Sequence, residues 1–533
     1  MRFFLLALLL GASISVAAKP SSKNYLIKFK KSVSIRRIGN ILKISGNKKR
    51  RKRLHEKLRI YRLNKATTFF IGRLLKRYGK FISYIEEDYK VHAIGSVSDP
   101  MYADQVGMHR MGVEKAWEMT RGSYDVLVGV SDTGTSPKHP DLAQQMWRNP
   151  GEIAGNGIDD DGNGYIDDIF GYDFNARDSD PSDQNSHGTH VSGIIGAVGN
   201  NKIGISGVAQ KVSIMAVQFL DKKGSGRNSD GIETIIYAAD NGARILNCSW
   251  GGGGASKALK DALDYAAKKN MLVLAAAGND GQNNDTTPSF PANYDSSTLL
   301  SVAASEDDGL LASFSNYGQT KVDFAAPGYK ILSTVLDGRY QRYSGTSMAT
   351  PMASGVAALM LSYRPKMSAI ELKNALLNAV VQKENYRYIL STGGELSASL
   401  ALKQLSMGFQ LMPQVLTLAL GSKHQFSAFD AQGPVDFSVS DSSLASINKN
   451  GVLSVKDKEG EVIVLAKDST GVEVQAQVSL VRVQTSDGGG CVSTAQAGEI
   501  SQNREKSSPL TWASYLLLLF PYLVLRRGIQ KLT

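Results

Sequence analysis

The chain has 533 residues, enough for several domains, and its 42% hydrophobic content is ordinary for globular protein. The formal charge of +12 is local in origin: residues 19–97 carry 23 Lys and Arg against 4 Asp and Glu, and residues 98–533 are net negative. Only two cysteines occur, Cys248 and Cys491, which excludes a disulfide framework.

At the N-terminus Arg2 precedes the apolar Phe3–Leu10, and Val16-Ala17-Ala18 offers small residues for cleavage, so residues 1–18 read as a secretory signal peptide. In residues 19–97, Asn24–Phe29 alternates as a strand and Thr67–Tyr78 carries a helical pattern. The run Lys48-Lys49-Arg50-Arg51-Lys52-Arg53 matches a nucleic-acid patch in composition. In an exported chain it reads instead as a solvated surface loop, and no nucleic-acid partner is expected.

Val126–Val130 is a short apolar strand that ends at Asp132 and the turn glycine Gly134. In a parallel sheet that edge collects ligand chemistry. Next comes the acidic stretch Asn156–Asp168. Oxygen ligands at alternate positions (Asp159, Asp161, Asn163), with Asp167 or Asp168 to close the shell and glycines for a sharp turn, suit a hard cation such as Ca²⁺. Position 12 of an EF-hand count is Phe170, so the loop is not a complete EF-hand. His187-Gly188-Thr189-His190 then opens an apolar helix, and Leu272–Ala277 is a second buried strand, followed by Gly278-Asn279. Cys248 lies in the apolar run Ala243–Trp250 and reads as a buried free thiol. Gly345-Thr346-Ser347 delivers a serine to the start of an apolar helix over Met348–Ser362, at its positive end.

A serine hydroxyl needs a base to take its proton, a group to orient that base, and donors for the oxyanion. The chain offers one candidate for each: Ser347, His187, Asp132, and the Asn279 amide together with the Ser347 N–H. The order Asp, His, Ser is one of the known triad orders. Over roughly residues 100–400 these motifs resemble the subtilisin-like serine proteases. That resemblance implies an α/β fold, a parallel sheet flanked by helices, over residues 98–405. It makes Ser347 the nucleophile, His187 the general base and acid, Asp132 the residue holding the His187 tautomer, and Asn279 an oxyanion donor. His190 is then a structural histidine.

The same resemblance implies that residues 19–97, with a closing strand near Phe81–Asp88, form an α+β pro-peptide. Such a pro-peptide assists folding, inhibits the enzyme intramolecularly and is removed by it, here with a cut between about Lys90 and Asp99. It also implies a second Ca²⁺ site at Asp141 and Asn201, with Asp104 or Gln105 nearby. Ser249-Trp250-Gly251 and Ala276-Ala277-Gly278 would flank the primary specificity pocket, with Ser289 near its base. The absence of a buried carboxylate in those motifs points to cleavage of protein or peptide substrates after large apolar residues.

Further along, Ser368–Val380 reads as a late helix. Residues 408–484 break into short β-like runs: Val415–Leu420, Gln425–Phe429, Val435–Val439, Gly451–Val455, Glu461–Ala466 and Val472–Val483. Turn signals separate them, which predicts a β-sandwich, and the segment from Ala445 to Gly460 resembles bacterial immunoglobulin-like domains; spacing the enzyme from the surface is the preferred role, and binding a partner the alternative. In residues 485–533, Gly488-Gly489-Gly490-Cys491 is followed by a polar linker, the apolar Leu510–Leu525 and basic Arg526, Arg527 and Lys531. That layout resembles C-terminal sorting signals of Gram-negative bacteria and implies a sorting protease as partner. The alternative is a plain C-terminal membrane anchor.

Overall fold

The computed structural model describes residues 22–44, 51–55, 59–87 and 97–483. The leader, Lys48–Arg50, residues 90–96 of the expected maturation segment, Cys491 and the C-terminal tail lie outside the described residues. The chain divides into two compact units, residues 1–96 and 97–533.

The first unit contains β1 (Ser22–Phe29), α1 (Ile35–Ile44), β2 (Arg51–His55), β3 (Ile60–Thr67), α2 (Thr68–Tyr78) and β4 (Ile82–Glu87). Its sheet is antiparallel in the order β2-β3-β1-β4. Alternate residues of β1 (Tyr25, Ile27, Phe29) point into a core with Ile38, Leu63, Leu74 and Ile82. One expectation gives way here: Arg51 onward is not loop but the edge strand β2, a position where a basic sequence discourages pairing with other chains.

The second unit is built on β5 (Gly122–Asp132), β6 (Gly171–Asp173), β7 (Lys211–Gln218), β8 (Ile245–Cys248), β9 (Leu272–Ala276), β10 (Leu299–Ser305) and β11 (Phe324–Pro327). A hairpin, β12 (Ile331–Val335) and β13 (Arg339–Tyr343), precedes β14 (Val380–Gln382) and β15 (Gly394–Leu396). The nine-stranded sheet runs β14-β15-β11-β10-β9-β8-β5-β7-β6, parallel except at β14.

Side chains alternate between two buried faces, as expected of a sheet covered on both sides. Val128, Val130, Leu272 and Leu274 share one core with α3 (His187–Gly196) and α4 (Thr346–Tyr363). Val217, Leu246, Val273 and Ala275 share the other with α5 (Asn228–Asp240) and α6 (Lys257–Lys268). The late helix, α7 (Ala369–Asn378), starts at a Ser368–Glu371 capping box and stops short of the expected Val380, which enters β14 instead. Cys248 is buried and free, and burial pushes its thiol up.

After α8 (Ala398–Gln404) come β16 (Gln410–Met412), β17 (Val415–Ala419), β18 (Lys423–Gln425), β19 (Ser427–Phe429), β20 (Val435–Val439), β21 (Ala445–Ile447), β22 (Val452–Val455), β23 (Gly460–Asp468) and β24 (Glu473–Val481). A four-stranded sheet, β17-β24-β23-β20, and a three-stranded sheet, β18-β22-β21, enclose Phe426, Leu453, Val464 and Val478. The expected strand Gln425–Phe429 is split. Phe426 turns into this core with its N–H on the Gly451 carbonyl, and β19 leaves to pair with β16. Phe429 and Met412 thereby join the core of α4 and the large sheet, so this segment shares a core with the residues before it.

Candidate active site

Asp132 ends β5 at the C-terminal edge of the sheet with no exposed surface. Its Oδ1 lies 2.7 Å from His187 Nδ1, and the Thr133 N–H donates to the same oxygen. Gly188 allows this approach. A Cβ there would stand 2.0 Å from the Gly134 carbonyl oxygen, so only glycine lets the start of α3 press onto the turn after β5. Burial opposes the imidazolium of His187, but the Asp132 charge and hydrogen bond, with Asp183 behind them, outweigh it and raise its pKa.

Ser347 is the second residue of α4. Pro351 has no N–H to bond the Ser347 carbonyl, which would otherwise be spent inside the helix. That carbonyl accepts instead from Ser249 Oγ at 2.8 Å, and Ser347 Oγ donates back to the Ser249 carbonyl at 3.1 Å. The reciprocal pair anchors Ser347 to the end of β8. In this rotamer no hydrogen bond joins Ser347 to His187, as is common before substrate binds.

The Ser347 N–H lies in the first helical turn, where no intrahelical acceptor exists. Asn279 faces the same point. Its Oδ1 accepts from the Thr346 N–H and Oγ1, both at 2.9 Å. Because an N–H must face the amide oxygen, the orientation is set and Nδ2 is left as a donor without an acceptor among the described residues. Asp132, His187, the Ser347 hydroxyl and N–H and the Asn279 amide therefore meet at one end of the sheet.

The substrate-side residues also assemble. A Cβ on Gly251 would lie 3.4 Å from Ser289 Oγ, and one on Gly278 3.2 Å from it, so both expected edges border Ser289. Gly278 has φ +117°, a conformation that favours glycine, and its added Cβ would also meet Asn316 at 2.3 Å. Ala276 and Ala277 are buried. The Ala277 carbonyl accepts from Asn284 and Asn316, so this pair packs the edge rather than presenting it. Trp250 stands edge-on to Phe219, 5.0 Å between ring centroids, with its Nε1 on Ser131 Oγ. His190 is buried and tied into the fold: Nε2 reaches the Ile331 and Gln341 carbonyls, the ring stacks on Tyr343, and burial lowers its pKa to about 3.

The acidic loop divides its residues. Asp161 and Asp168 converge with Glu152, ligand atoms within 4.8 Å of one another, as the one metal-capable cluster among the described residues. Burial raises the Asp168 pKa, with the Asp161 charge adding to it, although Tyr237, Asn149 and Asn163 donate to its carboxylate. An oxygen-only set of mutually repelling carboxylates fits a hard divalent cation. Asn163 sits among them, its amide donating to Asp161 and Asp168. Asp159 accepts from the Asn163 and Gly164 N–H groups, and Asp167 from those of Gly155, Asn156 and Gly157; both serve the turn rather than the cluster.

At the second expected site Asp141 accepts from Asn201 Nδ2 at 2.7 Å, the Tyr340 hydroxyl at 2.8 Å and the Ile205 N–H at 3.0 Å. Gln105 is spent on Ser206, and Asp104 forms no part of the group.

Three residues escape sequence reasoning. Asp183 accepts from Thr133, Asn185, Ser186 and Thr189 and so holds the turn that presents His187; its place four residues before that histidine was the available signal. Thr346 orients Asn279. Glu152 lies outside the acidic run and reaches its cluster only through the fold.

The model of the "Subtilase family" matches residues 123–400. The chain is 40% identical over 296 residues to a thermophilic serine proteinase of Bacillus sp. strain AK1, covering 55% of this chain and 66% of that protein. It is 40% identical over 266 residues to thermitase of Thermoactinomyces vulgaris, covering 50% of this chain and 85% of the relative. With a halolysin-like extracellular serine protease of Natrialba magadii it shares 38% identity over 303 residues, 56% of this chain and 52% of the relative.

Proposed function

The chain belongs to the subtilase family of serine endopeptidases, and from that premise we propose that it is an exported protease made as a zymogen, whose triad is Asp132, His187 and Ser347 and which releases its own N-terminal unit. The observation that carries the catalytic assignment is the 2.7 Å pairing of buried Asp132 with half-buried His187, at the same sheet edge as Ser347 and an unspent Asn279 amide. His187 Nε2 takes the Ser347 proton as Oγ attacks the scissile carbonyl. The carbonyl oxygen becomes an oxyanion held by the Ser347 N–H and Asn279 Nδ2. The same proton then goes to the leaving amine, and water repeats the sequence on the acyl-enzyme. Asn279→Ala is expected to lower kcat by about 10²–10³-fold with little change in KM, the usual effect of losing one such donor. Steady-state kinetics on a fluorogenic peptide checks it.

Zymogen organisation is supported by the separate α+β unit of residues 1–96 and its basic composition, opposite in sign to the remainder. Intact mass of the exported chain tests it. Loss of the basic unit from wild type but not from Ser347→Ala is the expected result, and equal processing of both would assign maturation to another protease. The side-chain-free Gly251 and Gly278 edges bordering the neutral Ser289 support cleavage after large apolar residues. Among the described residues no helix is long and apolar enough to cross a membrane.

Glu152, Asp161 and Asp168 would hold a Ca²⁺ ion that neutralises their mutual repulsion and stiffens the loop. An ion bound only by the folded state stabilises by about 2.7 kcal/mol at a hundredfold excess over its Kd. EDTA is therefore expected to lower the melting temperature of Ser347→Ala protein, and Asp168→Asn to make it insensitive to EDTA. An unchanged melting temperature would remove calcium from this loop.

A further inference from the structure

A cleft of about 800 Å³ opens from His187 and runs between Ser249–Gly253 and the segment Phe219–Asn228. Its inner part is neutral, with Trp250 packed on Phe219. Its outer wall carries Lys223 and Arg227, and no Asp or Glu lines it. Both cations are exposed, and neither forms an ion pair among the described residues. The neighbouring Asp221 is occupied otherwise. Its carboxylate accepts the N–H groups of Ser225 and Lys223, which, with the nearby lysine charges, hold it below the usual carboxylate range. The contrast with the surroundings is sharp, because residues 98–533 are net negative as a whole.

We propose that Lys223 and Arg227 are specificity-determining residues that select peptides with an Asp or Glu a few positions before the scissile bond. The inference rests on the protease reading and adds a charge preference to it. A peptide laid as a strand along Ser249–Gly251 keeps its backbone at the edge of β8 and sends alternate side chains outward. Residues on the acyl side of the scissile bond then pass Lys223 and Arg227. A carboxylate there meets two exposed cations, with only the neighbouring Asp221 charge to offset Lys223, and a lysine meets repulsion from both.

Peptides with one apolar residue before the scissile bond, and Asp, Asn or Lys scanned through the four preceding positions, test the proposal. The mature enzyme is expected to show, at one or two positions, kcat/KM about tenfold higher for Asp than for Lys, with Asn between them. Raising ionic strength to about 0.5 M should shrink that ratio toward unity, since the groups are exposed. In Lys223→Glu/Arg227→Glu the ratio is expected to invert. The comparison is made within one enzyme, so a general loss of activity in the variant cancels. A wild type indifferent to charge at every position, or a preference that survives the double reversal, overturns the proposal while leaving the protease reading intact. Failure of the wild type to cleave any peptide overturns both.

Discussion

Ser347→Ala is expected to lower kcat/KM by about 10⁴-fold or more, leaving only what the oxyanion donors and substrate binding supply. The size of the loss belongs to triads in general, but two features of this site sharpen the expectation. The serine is anchored through a carbonyl that Pro351 leaves free, so the alanine variant keeps the Ser249–Ser347 backbone contact and folds as wild type does. His187 supplies a pH signature. Its pKa lies above the ordinary histidine value of about 6.5 because Asp132 outweighs burial. Attack needs the neutral imidazole, so the acid limb of kcat/KM should fall above that value, with activity lost as pH drops through it. Asp132→Asn removes the charge that raises the pKa and leaves the burial that lowers it. The limb should therefore move to lower pH while the rate falls by about 10⁴, as the wrong tautomer faces Ser347. A limb that stays in place in Asp132→Asn would mean that another group governs it.

Ending the chain after Ser406 is expected to destabilise the catalytic part severely. Met412 and Phe429 belong to the same core as α4, and burying each is worth about 2 kcal/mol. Asn374 donates to the Gln425 carbonyl and Ser427 Oγ, Thr417 N–H to the Ser391 carbonyl, and Arg364 makes two 2.8 Å bonds to Asp430. Each such bond adds about 1 kcal/mol. The total rivals the whole stability of an ordinary domain, about 5–15 kcal/mol. A melting temperature lower by about 10 °C or more is expected for the shortened chain in the Ser347→Ala background, read by calorimetry. An unchanged melting temperature would return residues 408–484 to the spacing role that their sequence alone suggests.

The difference between those two roles shows what was legible in the sequence. The β-runs of residues 408–484 were visible because alternation and turn residues are local signals. The split at Phe426 was not, because it depends on which of two cores a side chain enters. The proposed triad was legible for a related reason. Asp132, His187, Ser347 and Asn279 each sit in a short motif whose glycines and apolar neighbours describe a strand end or a helix start, and those local environments determine their chemistry. Which groups surround an acidic residue was not legible, since composition cannot say what distant segments bring to a carboxylate. Asp168 meets Glu152 and Asp161 beside its donors Tyr237, Asn149 and Asn163, whereas Asp141 meets Tyr340, Asn201 and the Ile205 N–H.

By itself the sequence determined the alternating faces of the sheet, the residue types of the catalytic set and the order in which they occur. Only the tertiary structure decided the 2.7 Å pairing of His187 with Asp132 across 55 residues, the exchange between Ser249 and Ser347 across 98, the recruitment of Glu152, and the shared core that holds Met412 and Phe429. Periodicity and capping are set within a few residues of chain. These contacts exist because distant segments close-pack around α4, and what each buried polar group then meets depends on which segment arrives.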